Sequence, residues 1–313
     1  MTAPTSPGED PDGWARALAE HLAHVGTPDG WRPAVQGAVA TVLGVVAPDG
    51  TPLVAKVFPA AAARRGRTEA RALELLADLP DVPVPRLVHS GPLPGAGSTV
   101  VVMTRLPGVR WADHTLVAPA TDRLSLARQA GQLLRSLHVL TAEGFGGPLP
   151  DDPVQATLLA RVEHTAAEQL EAFTASGGTD VLAARVRRLV RAHRDVLRRP
   201  VRPALCHHDL NGGNVLVGVS GPARITGLVD LERVGWDDPM ADLALTTTHL
   251  RQHETAAAEA LLEAYDPTTE ERRRLELHVV LLTVAERAWV ATDRPQGWEA
   301  SVARLEQLLR DAT

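Results

Sequence analysis

At 313 residues, with 44% hydrophobic and 22% charged side chains, the chain can bury a sizeable core as one large domain or two modest lobes. A net charge of −6 and a pI near 6.1 leave no basic surplus for phosphate backbones or anionic lipid, so neither nucleic acid nor membrane is expected as a partner. No apolar run reaches the ~18 residues of a bilayer span, Met1 to Gly13 lacks the basic and apolar parts of a secretory signal, and the single Cys206 excludes an internal disulfide. A cytoplasmic protein is expected, with residues 1–13 disordered.

In chain order, Trp14 to Val25 has helical spacing (Trp14, Leu18, Leu22, Val25), and the period then changes to short Val-rich runs, Val35 to Val46 and Leu53 to Phe58, joined by a turn at Asp49-Gly50. A helix from about 64 to 79 follows, then strands at 84–88 and 99–104, with Gly95-Ala96-Gly97 read as a hairpin turn. Beyond Pro107-Gly108 the pattern predicts helices near 121–140, 155–174, 179–198, 240–264, 269–291 and 296–311, broken by a hairpin at 215–229. This segregated order predicts an α+β, two-lobed molecule: a small antiparallel sheet with one helix over residues 1–106, and a larger, mainly helical lobe over 107–313.

Rare residues carry the chemical signal. Of 32 lysines and arginines only Lys56 is lysine, and the only asparagines are Asn211 and Asn214. A lysine that survives such thinning marks a place where a compact ammonium is needed rather than a planar guanidinium. Further on, Val215 to Val219 and Ile225 to Val229 are apolar runs centred on Gly221-Pro222. Antiparallel pairing about that centre sets Asn214 beside Asp230, where an amide oxygen and a carboxylate can converge on one hard cation such as Mg²⁺. Asp209 lies five residues before Asn214 on a loop loosened by Gly212-Gly213, and could take a proton from a substrate hydroxyl. A carboxylate, an Asn and a second carboxylate at this spacing form a phosphoryl-transfer arrangement.

The run Cys206-His207-His208-Asp209-Leu210-Asn211-Gly212-Gly213-Asn214 resembles the catalytic loop of the aminoglycoside phosphotransferase and choline kinase-like family, a branch of the protein-kinase-like fold. Gly227-Leu228-Val229-Asp230-Leu231-Glu232 is similar to its metal-binding strand end, and Gly235-Trp236-Asp237-Asp238-Pro239-Met240-Ala241-Asp242 to the segment that follows. The resemblance covers about residues 30–265. It implies Asp209 as the base or substrate-orienting carboxylate, Asn214 and Asp230 as Mg²⁺ ligands, His207 as a loop-stabilising residue and Asp242 as a brace for the loop.

The first lobe adds independent checks. Lys56 ends a strand, where kinases place the lysine that contacts the α- and β-phosphates and pairs with a helix Glu. On a 3.6-residue period Glu69 shares its face with Ala72, Leu73 and Leu76, so Glu69 rather than Glu74 points inward. Val100 to Gly108 resembles the strand and hinge that hold adenine through backbone groups. Pro107 lacks an N–H, so Leu106 is expected to donate and the Thr104 carbonyl to accept. Arg105 has no assigned role. Gln36 to Thr41, the phosphate-covering loop, has one glycine and no G-x-G-x-x-G.

The reading that follows is a small-molecule kinase transferring the γ-phosphoryl of ATP or GTP, with Mg²⁺, to a hydroxyl. A mild acidic excess beyond Pro107 (28 acidic against 23 basic side chains) suits a cationic acceptor such as an aminoglycoside-like antibiotic or a small amino alcohol, with Asp237, Asp238, Glu232 and Glu254 as candidate contacts; a neutral sugar, an amino acid or a macrolide-type antibiotic is the alternative acceptor. The competing reading is a catalytically silent nucleotide-binding protein, motivated by the poor glycine loop.

Overall fold

A computed structural model describes residues 11–37, 39–93, 97–218 and 220–313. The expected disordered start up to residue 10, the turn at Gly95-Ala96, Ala38 in the phosphate-covering loop and Val219 lie outside the described residues. In chain order the elements are α1 (Pro11–His21), β1 (Thr27–Pro28), β2 (Thr41–Val46), β3 (Pro52–Phe58), α2 (Ala63–Leu76), β4 (Leu87–Leu93), β5 (Ser98–Thr104), β6 (Val109–Arg110) and α3 (Trp111–Thr115). Then come α4 (Ala120–Leu137), β7 (Phe145–Gly146), β8 (Val154–Gln155), α5 (Leu158–Ala175), α6 (Asp180–Ala192), α7 (Arg194–Leu197), β9 (Ala204–Cys206), β10 (Val215–Gly218) and β11 (Arg224–Leu228). The chain closes with β12 (Gly235–Asp237), α8 (Pro239–His253), α9 (Thr255–Tyr265), α10 (Thr269–Asp293) and α11 (Trp298–Ala312).

Contacts divide the chain into two compact units. One comprises residues 1–118, 148–151 and 212–234; the other comprises 119–147, 152–211 and 235–313. The fold is α+β and kinase-like: an antiparallel sheet with its helix toward the N-terminus, and a larger helical region after it.

In the first unit the sheet order is β1-β2-β3-β5-β4. Strand β5 lies inside the sheet, between β3 and β4, and is covered on both faces, which is why Val100 to Met103 reads as an unbroken apolar run rather than an alternation. One face packs Leu43, Val45, Ala55, Val57, Val100 and Val102 against Trp14 and Leu18 of α1 and Leu22 just after it. Ala55 and Val57 point there, so by the two-residue period Lys56 and Phe58 point to the opposite face, where α2 lies. Gly66 allows α2 to approach closely, because a Cβ there would sit 2.8 Å from the Phe58 ring and 2.9 Å from the Thr99 methyl. Glu69 is one turn further along the same helix face.

The hairpin β10–β11 belongs to this unit and pairs with β6. Its register departs from the symmetric pairing expected from sequence. Val215 pairs with Leu228 and Leu216 with Gly227, but Val217 pairs with Ile225, so Thr226 is an extra residue in a bulge. Asn214 consequently stands opposite Val229, whose N–H donates to its carbonyl at 2.9 Å, and Asp230 comes one residue later. Asp230 then takes a left-handed backbone, φ 67°.

The second unit packs α5, α6 and α10 around Val162, Leu170, Phe173, Val186, Leu277, Leu281 and Val284. Helices α4 and α9 lie close together, because a Cβ on Gly131 would fall 2.4 Å from the Leu261 carbonyl oxygen. The single helix expected over 240–264 is two helices. Glu254 is extended (φ −155°) between them, and its carboxylate takes the Arg123 guanidinium of α4 at 2.7 Å. The helix expected over 179–198 likewise breaks at His193, whose ring Nδ1 meets the Leu189 carbonyl at 2.9 Å. Helix α1 begins at Pro11, inside the stretch expected to be disordered. No helix among the described residues is long and apolar enough to cross a membrane.

Candidate active site

The first unit gathers an ionic cluster around Lys56. Its ammonium donates to Glu69 Oε1 at 3.0 Å and to Asp230 Oδ1 at 2.5 Å, and forms ion pairs with Glu69 Oε2 at 2.8 Å and Glu232 Oε2 at 3.8 Å. Glu69, 1% exposed, also accepts the Leu231 N–H at 3.3 Å. Arg65 of α2 donates to Glu232 Oε1 at 2.9 Å. Burial alone would lower the Lys56 ammonium, but Glu69, Asp230 and Glu232 overcome it and hold it above its ordinary value. Burial, reinforced by Asp230 and Glu232, pushes the Glu69 carboxyl up to about 7 despite the attraction of Lys56. Three carboxylates facing two cations leave a surplus of negative charge. The Asp230 carboxylate is the accessible member, 36% exposed against 1% for Glu69 and 7% for Glu232. Oxygen donors with surplus negative charge fit a hard divalent cation, and Asp230 and Asn214 stand at the same end of the hairpin.

At the end of β5, the Arg86 N–H donates to the Thr104 hydroxyl at 2.9 Å, and the Thr104 N–H to the Arg86 carbonyl at 3.0 Å. Arg105 donates its N–H to the Pro52 carbonyl at 3.1 Å. Leu106 lies over Gly227 of β11, where a Cβ would come within 2.8 Å of the Leu106 methyl. Arg105 now has a structural role, pairing with Asp29 at 3.2 Å and stacking over Trp31 at 5.0 Å. In the phosphate-covering loop, Gln36 pins its segment to β2: its amide donates to the Val42 carbonyl and accepts the Val42 N–H, both at 2.9 Å.

The second unit builds the loop that follows β9. Asp242, fully buried near the start of α8, accepts the His207 N–H on Oδ2 and the His208 N–H on Oδ1, each at 2.6 Å. His207, itself fully buried, accepts the Asp209 N–H on Nδ1 at 3.2 Å. Asn211 donates its amide to Asp209 Oδ1 at 2.9 Å, and Thr246 donates to the Leu210 carbonyl at 2.9 Å. Burial would raise the Asp242 carboxyl, but the His138 hydrogen bond and the fields of His208, His138 and His207 hold it down at about 2. His208 has φ 59°, a left-handed conformation that costs a non-glycine residue about 1 kcal/mol or more. Its ring lies 3.7 Å from Asp237, a carboxylate gripped by Arg161 at 2.6 and 2.8 Å.

Sequence reasoning gives Asn211, Arg161 and Tyr265 no role, and reads His138, one turn after Leu134, as packing against the core of the second lobe. Asn211 was findable by the argument applied to Lys56, being one of two asparagines. The others come from helices remote in sequence and carry no local signal. The four carboxylates considered as acceptor contacts are all committed to protein cations: Asp237 to Arg161, Asp238 to Arg274 and His278, Glu232 to Arg65, and Glu254 to Arg123. His138, Cys206 and Asp242 each bring one ligand-type atom within 4.8 Å of the others. These atoms are already spent, however: His138 on Tyr265 and Asp242, and the Cys206 thiol on the Asp238 carbonyl. Burial and three nearby aspartates push that thiol up, so it stays protonated.

A sequence profile described as the phosphotransferase enzyme family matches residues 30–278. An aminoglycoside 3'-phosphotransferase of Streptomyces fradiae is 29% identical over 213 residues, covering 64% of this chain and 72% of that protein. A viomycin phosphotransferase of Streptomyces vinaceus is 31% identical over 152 residues, 46% of this chain and 48% of that one. Among solved structures, aminoglycoside phosphotransferase APH(4)-Ia, in ternary complex with AMP-PNP and hygromycin B, aligns with a TM-score of 0.70 at 16% identity, covering 95% of this chain and 97% of that one. An APH(2") enzyme in complex with GDP and kanamycin aligns at 0.68 and 16%, covering 96% and 98%. At such identity these structural matches speak for the fold.

Two outcomes follow from the loop geometry. Asp242 titrates near 2 in the folded chain against 3.8 in model peptides, so the stability it contributes is present above pH 3.8 and lost as pH falls toward 2, about 2 kcal/mol in all. Denaturation between pH 5 and 2 should show that slope, and Asp242→Asn should be destabilised at pH 7 and lack it. His208→Gly should be at least as stable as His208→Ala by denaturant midpoint, since glycine relieves the positive φ that alanine retains.

Proposed function

Because this chain belongs to the phosphotransferase enzyme family, whose members transfer phosphate to an alcohol group, we propose that it moves the γ-phosphoryl of ATP or GTP to a hydroxyl of a small amino-bearing molecule, of the aminoglycoside or amino-alcohol kind. The observation that carries this reading is the Asp209 carboxylate, fixed by the Asn211 amide on a loop whose backbone is itself tied to buried Asp242. In the proposed reaction Asp209 orients the acceptor hydroxyl and takes its proton as the new oxygen–phosphorus bond forms. The bond from the γ-phosphorus to the bridging oxygen breaks, and a nucleoside diphosphate leaves.

Lys56, held by Glu69, contacts the α- and β-phosphates in this reading, and the Leu106 N–H and Thr104 carbonyl hold the purine edge. Asn214 and Asp230 are the residues that would hold Mg²⁺, which when bound neutralises charge across the phosphates. The choice of acceptor draws on three lines: the acidic excess of the C-terminal part, the names of the two Streptomyces relatives, and the hygromycin B and kanamycin in the solved structures. Those two structures hold an adenine and a guanine nucleotide respectively, so both donors belong in the assay.

Mass analysis of an acceptor panel of aminoglycosides, peptide antibiotics, amino alcohols and sugars tests the reading. A gain of about 80 daltons on an amino-bearing member is expected, and transfer only to neutral sugars would overturn the acceptor class. Asp209→Asn should lower kcat by about 10²-fold or more while nucleotide affinity holds; near-normal kcat would remove Asp209 from its role. Asp230→Ala should lose the Mg²⁺-dependent part of nucleotide binding measured by thermal shift, and its retention would remove Asp230 as a metal ligand.

A further inference from the structure

The brace on the Asp209 loop does not end at Asp242. His138, in the position just after α4, meets Asp242 Oδ2 with Nε2 at 3.3 Å and the Tyr265 hydroxyl with Nδ1 at 3.0 Å. Both side chains are buried, His138 to 4% exposure and the Tyr265 residue to 6%. Asp242, held near 2, is ionised and can only accept. Nε2 therefore carries a proton and donates to Asp242, and in the neutral imidazole this leaves Nδ1 to accept from the phenol. Burial, with Glu271 and nearby acids, keeps that phenol protonated and so a donor.

Tyr265 is itself placed with care. It ends α9, where Asp266 turns left-handed at φ 55° and returns its N–H to the Leu262 carbonyl at 2.8 Å. Arg135 of α4 donates to the Tyr265 carbonyl and lies over its ring at 5.9 Å. Gly131, seven residues before His138 and so on the same face of α4, is the point where the two helices touch, with Tyr265 N 3.1 Å from where a Cβ would stand.

We propose that Tyr265 and His138 are positioning residues for phosphoryl transfer. They form a directed chain of donors, Tyr265 hydroxyl to His138 to Asp242, that orients the Asp242 carboxylate toward the His207 and His208 N–H groups and through His207 fixes Asp209. None of the groups touches substrate. Their role is orientation: without the Nε2–H, Oδ2 loses one of two donors and the buried carboxylate is held by the loop's own two N–H groups alone, loosening a loop that already carries the backbone strain of His208. Outer partners of this kind are worth about 10–100-fold in activity at metal sites, and a comparable effect is expected here.

The test rests on the kinase reading above and uses the full chain. His138→Leu should lower kcat by about 10–100-fold with the KM for nucleotide little changed. His138→Gln, whose amide can again donate to Asp242, should recover most of the loss. Tyr265→Phe, which removes one oxygen and keeps the ring, should lower kcat several-fold, and its effect should shrink in the His138→Leu background. Equal losses in the Gln and Leu variants, or unchanged kcat in Tyr265→Phe, would overturn the proposal; if His138→Leu does not fold, Tyr265→Phe decides alone. Should the wild-type chain transfer phosphate to no acceptor, the kinase reading fails separately. Hydrogen exchange at the His207 and His208 amides then tests the chain: faster exchange in Tyr265→Phe supports it, and unchanged exchange refutes it.

Discussion

A fully buried carboxylate with no lysine or arginine on it is costly, and among the described residues Asp242 is such a group. Its charge is satisfied instead by two backbone N–H groups from consecutive residues and one imidazole donor. Asp242 thus grips the two amides that stand directly before a bend, and the left-handed backbone of His208 makes that bend toward Asp209. The strain and the buried charge are therefore one device: each would be unfavourable alone, and together they fix the direction in which Asp209 leaves the loop. Helix α8 presents Asp242, and Asp238 caps the same helix while held by Arg274 and His278. The support of the loop thus reaches into α10.

The other unit solves a different electrostatic problem. Lys56 lies among three carboxylates, and Glu69 is buried so deeply that its carboxyl is pushed up to about 7. The arrangement keeps the ammonium charged and aimed, and leaves Asp230 as the carboxylate most open to an incoming cation. Close packing makes this possible. Gly66 lets α2 lie against Phe58 and Thr99, and the next inward position of the helix is Glu69. The left-handed backbone at Asp230 parallels that at His208. In both places a functional loop leaves a strand through a conformation that ordinary residues avoid, and surrounding hydrogen bonds hold it there.

Much of the candidate site was legible in the sequence because its chemistry is local. Asp209, Asn214 and Asp230 lie within one loop and one hairpin, and a period-2 pattern suffices to set the last two near each other. Lys56 and Glu69 were legible because a single lysine in an arginine-rich chain and a helical face are both one-dimensional signals. The bulge at Thr226 was not legible. No residue type in the run announces it, and it sets Asn214 opposite Val229, one residue before Asp230, where the turn-side register alone would have set it opposite Leu228. The break at Glu254 was hidden for a similar reason, since the side chain that Glu254 pairs with, Arg123, lies 131 residues earlier.

Composition, periodicity and the spacing of a few polar residues thus determined the α+β class and the order of most elements, and singled out the groups proposed to react, because these depend on contacts between near neighbours. Tertiary structure alone decided which groups hold the reacting ones in place. His138, Tyr265, Arg161 and Asn211 act through distances of about 3 Å between segments that, apart from Asn211, are up to 127 residues apart. A hydrogen bond over such a separation is set by how helices pack, at Gly131 above all, and helix packing is a property of the assembled core that no local stretch of chain encodes.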